Sequence, residues 1–146
     1  MSDADDLDSA LAGVSTVEVR TSATAALIPT IRAVASDLAA RADFDLDAIS
    51  DLRMAVDEAC ATLVDAAAPT STLRCVFQVR PEHIEVHAEV QADKPDTTVS
   101  TDTFGWRVLQ TLADDVEVHH VPGDGTERPL LGIRLDKRAT TGGRDL

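Results

Sequence analysis

Apolar and polar residues alternate along this chain with two periods, which divide it into strands and helices. A period of two predicts strands at about residues 14–20, 73–79, 84–90, 116–121 and 130–136. A period of three to four predicts helices at about residues 24–41, 46–66 and 102–114. Turns are expected at residues 80–83 and 122–125, and a polar loop at residues 92–101.

Each predicted helix carries an apolar stripe that indicates its buried face. The stripes are Leu27, Ile31, Val34 and Leu38 in the first helix, Ile49, Leu52, Val56, Ala59, Cys60 and Leu63 in the second, and Val108, Leu109 and Leu112 in the third. Asp45 is expected to cap the second helix, and Pro69 lies just beyond its end. The order of elements predicts an α+β fold: a two-layer sandwich whose mixed, mostly antiparallel sheet is covered on one face by three helices.

Composition and charge narrow the class of protein. The chain has 146 residues, enough for one domain, and a net charge of -13. Such an acidic surface argues against direct nucleic-acid binding, which needs a basic footprint. Residues 1–13 are expected to be a disordered acidic leader and residues 138–146 a disordered tail, flanking a domain at 14–137. The chain has neither a signal peptide nor a run of about 20 apolar residues, so we expect a cytoplasmic protein without a membrane segment.

The two cysteines do not form the Cys-x-x-Cys motif that is typical of metal sites and redox sites. Cys60 and Cys75 stand in apolar surroundings, which favours buried free thiols, although a disulfide between them stays open. His83, Glu85 and His87 alternate on one face of a strand and could hold a metal ion. A solvated sheet face is the commoner explanation of that pattern.

One polar face of the second helix is the strongest candidate for chemistry. Asp51, Ala55, Glu58, Thr62 and Asp65 recur every three or four residues and therefore share one side of the helix. On spacing alone, a solvated helix face explains them better than an active site.

Two segments resemble the anti-sigma factor kinases of the RsbW and SpoIIAB type, which belong to the histidine-kinase-type and gyrase-type ATPases. Residues 51–60, Asp-Leu-Arg-Met-Ala-Val-Asp-Glu-Ala-Cys, resemble the family's N box. Residues 104–118 resemble its Gly-Leu-Gly-Leu region and the strand that follows. The order of elements also matches, over about residues 14–137, and the chain resembles the shortened actinobacterial RsbW-like form.

The resemblance implies roles for five residues. Glu58 matches the catalytic Glu, a general base for a substrate hydroxyl. Thr62 stands where the family has a magnesium-binding Asn, Asp93 near the adenine-binding Asp, and Gly105 with Trp106 at the glycine-rich entry to the third helix. ATP and Mg²⁺ are the implied cofactors. Residues 91–98 contain no glycine and the Asn is replaced, which predicts weak or absent catalysis.

Three functions follow as hypotheses. The first is an anti-sigma factor, a homodimer by resemblance, that sequesters an alternative stress or stationary-phase sigma factor and is antagonised by an anti-anti-sigma protein. The second is an active serine/threonine kinase that phosphorylates the antagonist, since positioning and electrostatics supply much of phosphoryl transfer. The third is a module of the same fold with an unrelated partner, because fold does not determine function.

Overall fold

The computed structural model describes residues 14–123, 125 and 127–140. The predicted leader at 1–13 lies outside the described residues, as do Asp124 in the predicted turn at 122–125 and the last six residues of the predicted tail.

Five strands and three α-helices make up the described fold. They are β1 (Ser15–Ser22), a 3₁₀ turn (Ala25–Leu27), α1 (Ile28–Arg41), α2 (Leu46–Ala66), β2 (Thr72–Arg80), β3 (His83–Gln91), α3 (Phe104–Leu112), β4 (Asp115–Val121) and β5 (Leu130–Arg138). The strand order is β1-β2-β3-β5-β4, and each of these pairings is antiparallel. The predicted α+β sandwich is confirmed, although the described strands contain no parallel pair. No helix in the described part of the chain is long and apolar enough to cross a membrane.

The core lies between one face of the sheet and the helices. Its largest fully buried side chains come from the helices and from the inward positions of β2, β3 and β5: Ile31, Leu52, Val56, Leu63, Leu73, Phe77, Ile84, Val86, Leu109, Leu131, Ile133 and Leu135. Strict alternation of buried and half-buried positions along β2 and most of β3 reflects the two-residue period of a strand. Asp45 caps α2 as predicted, its Oδ1 accepting from the Ala48 amide at 2.7 Å.

The buried face of α1 differs from the predicted stripe. Ile28, Ile31, Ala35 and Ala39 are buried, whereas Val34 and Leu38 are only half-buried. The prediction counted one continuous helix from residue 24, but the first residues form a 3₁₀ turn with three residues per turn. The 3₁₀ turn takes Leu27 out of the α-helix. Within the α-helix, Ile31 is buried as predicted, but the alanines at 35 and 39, which a stripe of large apolar residues does not mark, are buried in place of Val34 and Leu38.

The described part of the predicted tail belongs to the sheet. β5 continues through Arg138, whose amide donates to Asp114 Oδ2 at 2.7 Å. Ala139 is buried, and its amide donates to the Glu82 carbonyl at 2.8 Å. The predicted boundary at residue 138 is therefore wrong, because these hydrogen bonds hold two further residues in place.

α3 is shorter than predicted, and it covers the side of α2 that carries the polar face. Thr103 caps α3, with Oγ1 accepting from the Trp106 amide at 3.1 Å, so the helix begins at Phe104 rather than at residue 102. Its buried residues are Trp106 and Leu109, while the predicted Val108 and Leu112 are half-buried. Ala55, predicted on a polar face, is fully buried and belongs to the main hydrophobic cluster.

A buried lysine joins β5 to α2 and α3. Lys137 on β5 is 4% exposed, and its Nζ donates to the Leu112 carbonyl at 2.8 Å and to Asp51 Oδ2 at 3.3 Å. A buried ammonium is costly unless it is paired and hydrogen-bonded, and here both conditions are met. Lys137 thus ties the end of α3 and the start of α2 to the sheet.

We predict that Lys137→Met lowers the free energy of unfolding by about 2 kcal/mol, because Asp51 and the Leu112 carbonyl lose their donor. Urea denaturation measures the change. Lys94→Met, at an exposed loop position, removes the same charge and should change stability by less than about 0.5 kcal/mol. Equal losses in the two variants would show that the buried ion pair is not the cause.

Candidate functional site

Glu58 and Thr62 form a hydrogen-bonded pair one turn apart on α2. Thr62 Oγ1 donates to the Glu58 carbonyl at 2.9 Å and lies 3.3 Å from Glu58 Oε2, which can also accept its proton. The first bond is the usual way in which a helical threonine returns its hydroxyl to the preceding turn. The second contact orients the carboxylate. Both side chains are half-buried, so the predicted solvated face is instead partly covered.

The first turn of α3 covers part of the Glu58 side chain. A Cβ atom built on Gly105 would lie 2.6 Å from Glu58 Oε2, closer than real Cβ contacts allow, and 3.2 Å from Glu58 Cδ, which is tighter than most. Glycine at this position lets the helix backbone rest against the carboxylate. The first turn of a helix carries partial positive charge and favours a carboxylate there. The structure therefore brings together three of the five predicted site residues, Glu58, Thr62 and Gly105.

Asp93 lies further along the same edge of the domain. Its amide donates to the Ala66 carbonyl at 3.1 Å, roughly two turns of α2 beyond Glu58. Its side chain is exposed and lines a separate cavity of about 550 Å³ together with Arg128 and Pro129. The structure does not place Asp93 beside Glu58, and its adenine-binding role stays a prediction.

Trp106 lies in the core rather than at the surface. Its side chain is 7% exposed and belongs to the main hydrophobic cluster. An indole buried in this cluster stabilises the position of α3, because it removes a large apolar surface from water. A ligand could stack on it only after α3 had moved.

Thr62 and Glu58 bring one hydroxyl and one carboxylate to this part of α2, and the role of Thr62 as a magnesium ligand stays a prediction. Mg²⁺ prefers an octahedral shell of hard oxygens that includes carboxylates or phosphates. The Thr62 hydroxyl donates its proton to the Glu58 carbonyl and keeps its lone pairs, and the one carboxylate beside it packs under Gly105. Within the described residues, no group of three or more His, Cys, Asp or Glu side chains could hold a metal ion.

The histidines of the open sheet face pair with acids. His83 Nε2 lies 3.0 Å from Asp136 Oδ1, and His87 forms a close contact with Glu85. The hydrogen bond with His87 is the main cause that lowers the pKa of Glu85. These pairs agree with the expected solvated, charged sheet face.

Cys60 and Cys75 are free thiols in this structure. Both are buried, and their sulfur atoms lie 3.9 Å apart between α2 and β2. The hydrogen bond with Cys75, and then burial, raises the pKa of Cys60 well above its usual range. A high pKa suppresses the reactive thiolate, so the pair packs as a small apolar contact.

Sequence reasoning missed Lys137, the buried cation that fixes α3. A signal was present: Leu131, Ile133 and Leu135 alternate inward, and residue 137 is the next inward position. The contact between Gly105 and Glu58 had no comparable signal, because it joins residues 47 positions apart.

A double-mutant cycle tests the contact between Gly105 and Glu58. In a Glu58→Ala background, Gly105→Ala should raise stability by about 0.5–1 kcal/mol, the helix preference of alanine over glycine. With Glu58 present, the new methyl must displace the carboxylate, so the gain should vanish or reverse. Thermal denaturation of the four proteins measures the coupling. Equal effects in both backgrounds would contradict the packing.

Comparison with known proteins places this geometry in a family. Residues 21–127 match the family described as the histidine kinase-like ATPase domain, which is most of the described fold. The matched region includes Glu58, Thr62, Asp93 and Gly105.

Two known proteins match this chain with the same identity and coverage. The Anti-sigma-F factor RsbW proteins of Mycobacterium tuberculosis strains CDC 1551 / Oshkosh and ATCC 25618 / H37Rv are each 37% identical over 120 residues. The aligned region covers 82% of this chain and 69% of each relative. The chain therefore belongs to the histidine kinase-like ATPase family and, within it, to the RsbW-type anti-sigma factors.

Proposed function

We propose that this protein is an anti-sigma factor that sequesters an alternative sigma factor of the stress or stationary-phase class. The observation that carries the proposal is the 37% identity to Anti-sigma-F factor RsbW across 82% of the chain. Similarity over 120 residues spans several elements of the fold rather than one motif.

The proposal includes an anti-anti-sigma protein as the antagonist that releases the sigma factor. It also includes a homodimer and a cytoplasmic location, as the resemblance to the family implies. The net charge of -13 supports a protein partner with a basic surface, because opposite charges accelerate encounter. The same charge disfavours direct contact with DNA.

The nucleotide site is proposed to be degenerate, so that partner exchange rather than phosphorylation governs release. Three features support this: Thr62 offers a hydroxyl already bonded within the helix, Glu58 packs under Gly105, and Trp106 lies in the core. A carboxylate serves as a general base only if a substrate hydroxyl can come within hydrogen-bond reach. In the arrangement described, Glu58 is half-buried and Gly105 of α3 lies against its Oε2.

The test is co-expression of the chain with each alternative sigma factor of its source cell, followed by size-exclusion chromatography. One sigma factor should elute with the chain, and the antagonist should displace it. Glu58→Ala should leave the complex with the sigma factor nearly intact, because the Glu58 side chain packs against α3. Failure to retain any sigma factor would contradict the proposal and favour an unrelated partner.

A phosphotransfer assay from ATP to the antagonist separates the proposal from an active kinase. We expect no transfer above background by the wild-type chain. Transfer that disappears in a folded Glu58→Ala variant would establish the kinase. Loss of sigma binding in that same variant would show that the face around Glu58 contacts the partner.

A further inference from the structure

One aromatic side chain of this protein faces water. The chain has three phenylalanines and one tryptophan. Phe44, Phe77 and Trp106 are at most 7% exposed, whereas Phe104 is 82% exposed. Aromatic rings contribute large apolar areas to cores and interfaces, and the fold makes little use of this one. A single exposed apolar residue is ordinary, so its surroundings decide what it indicates.

Phe104 begins an apolar row on α3. Phe104, Val108 and Leu112 are four residues apart and therefore lie along one side of the helix. Leu112 packs against the main hydrophobic cluster, whereas Val108 is half-buried and lies outside both the cluster and the hydrophobic side chains packed against it. The row thus leaves the core towards the start of α3 and is mostly in solvent at Phe104.

The exposed Met54 of α2 lies beside this row. Gly105, at the start of α3, lies against Glu58. The end of α3 is tied through Lys137 to Asp51. The two helices therefore run antiparallel, and the middle of α3 is level with the turn of α2 that contains Met54. Met54 lies one turn before Glu58 on the same side of α2 and is 45% exposed.

Met54, Phe104 and Val108 together form an apolar strip, the α2–α3 seam. An amphipathic helix binds by laying its apolar side along such a strip, with anchoring side chains three or four residues apart. Aromatic residues and methionine are also enriched in protein interfaces. The seam therefore fits an amphipathic helix of a partner protein.

The charges around the seam select a basic partner. Asp47 and Asp65 lie seven and eleven residues from Met54, spacings that put all three on one side of α2. Asp102 lies just before α3, and Arg107 is on α3 itself. All four charged side chains are exposed, and the three carboxylates have no ion-pair partner among the described residues. Three carboxylates against one guanidinium, in a chain with a net charge of -13, attract a helix that carries basic residues beside its apolar side.

We propose that the α2–α3 seam binds an amphipathic helix of the sigma factor, whose apolar side covers Phe104 and Met54 and whose basic side chains face the flanking carboxylates. A sigma factor contacts promoter DNA, and a protein that binds DNA needs a basic surface to neutralise phosphates. Its chemistry therefore matches the acidic flanks of the seam. This inference rests on the proposed function, because it names the surface that holds the sigma factor. Glu58 is not an anchor, because its carboxylate packs against Gly105.

The test compares two exposed apolar residues that each begin a helix. Phe104 is the first residue of α3, and Leu46 is the first residue of α2, 84% exposed and more than one turn before Asp51, where α3 ends. Phe104→Ala should weaken binding of the sigma factor that co-elutes with the wild-type chain about tenfold to thirtyfold, as the loss of an aromatic anchor does. Leu46→Ala should leave the Kd within about twofold. Isothermal titration calorimetry of the full chain measures both, and unchanged melting temperatures show that the variants are folded.

A second pair of variants tests the charges. Asp65→Asn should slow association with the sigma factor about twofold at low salt and change dissociation little, as expected for a charge at the rim of an interface. Asp43→Asn removes the same charge at an exposed position before α2, outside the seam, and should leave the association rate unchanged. Surface plasmon resonance at two salt concentrations measures the rates.

The outcomes separate this inference from the proposed function. A wild-type chain that binds no sigma factor overturns the proposed function, and the inference with it. Equal sigma binding by the wild-type chain and Phe104→Ala overturns the inference alone. If Phe104→Ala keeps sigma binding but loses self-association in analytical ultracentrifugation, or loses the antagonist, the seam belongs to a second copy or to the antagonist, and the inference is also overturned.

Discussion

The buried ammonium of Lys137 is the interaction on which the arrangement of the helices depends. It reaches the end of α3 through the Leu112 carbonyl and the first half of α2 through Asp51. An apolar side chain at this position could fill the space but could not satisfy a carbonyl and a carboxylate at once. With the end of α3 held there and its start capped by Thr103, the helix lies along α2 in one position, and Gly105 lies on Glu58.

This packing has a direct consequence for function. The catalytic-type carboxylate that the family resemblance assigns is present, but in this chain it supports the first turn of a helix. The position that carries a magnesium-binding Asn in the family holds Thr62, whose hydroxyl remains within α2. Under the proposed function, such a scaffold keeps its sheet and helices as a binding surface, while the residues at the predicted nucleotide site serve the packing of the fold. This agrees with a protein that acts by holding a partner.

Local patterns predicted most of the fold because its strands and α2 obey simple periods. The alternation in β2 and β3 and the Asp45 cap of α2 are short-range features that a sequence displays directly. The buried face of α1 escaped prediction because Ala35 and Ala39 form part of it, and a pattern of large apolar side chains does not mark alanines. For the site, Glu58 and Thr62 were adjacent on a helical face and so were predictable as a pair. Their burial under Gly105, and the burial of Trp106, arise from tertiary packing that no local period encodes.

Isothermal titration calorimetry of the purified chain with ATP, with and without Mg²⁺, tests the central claim most directly. If Glu58 and Thr62 serve the packing of α3, ATP binding should be weaker than millimolar, unaffected by Mg²⁺, and unchanged in Thr62→Ala. Micromolar binding that requires Mg²⁺ and is lost in Thr62→Ala would contradict the account, because it would mean that α3 opens and that Thr62 is a working metal ligand.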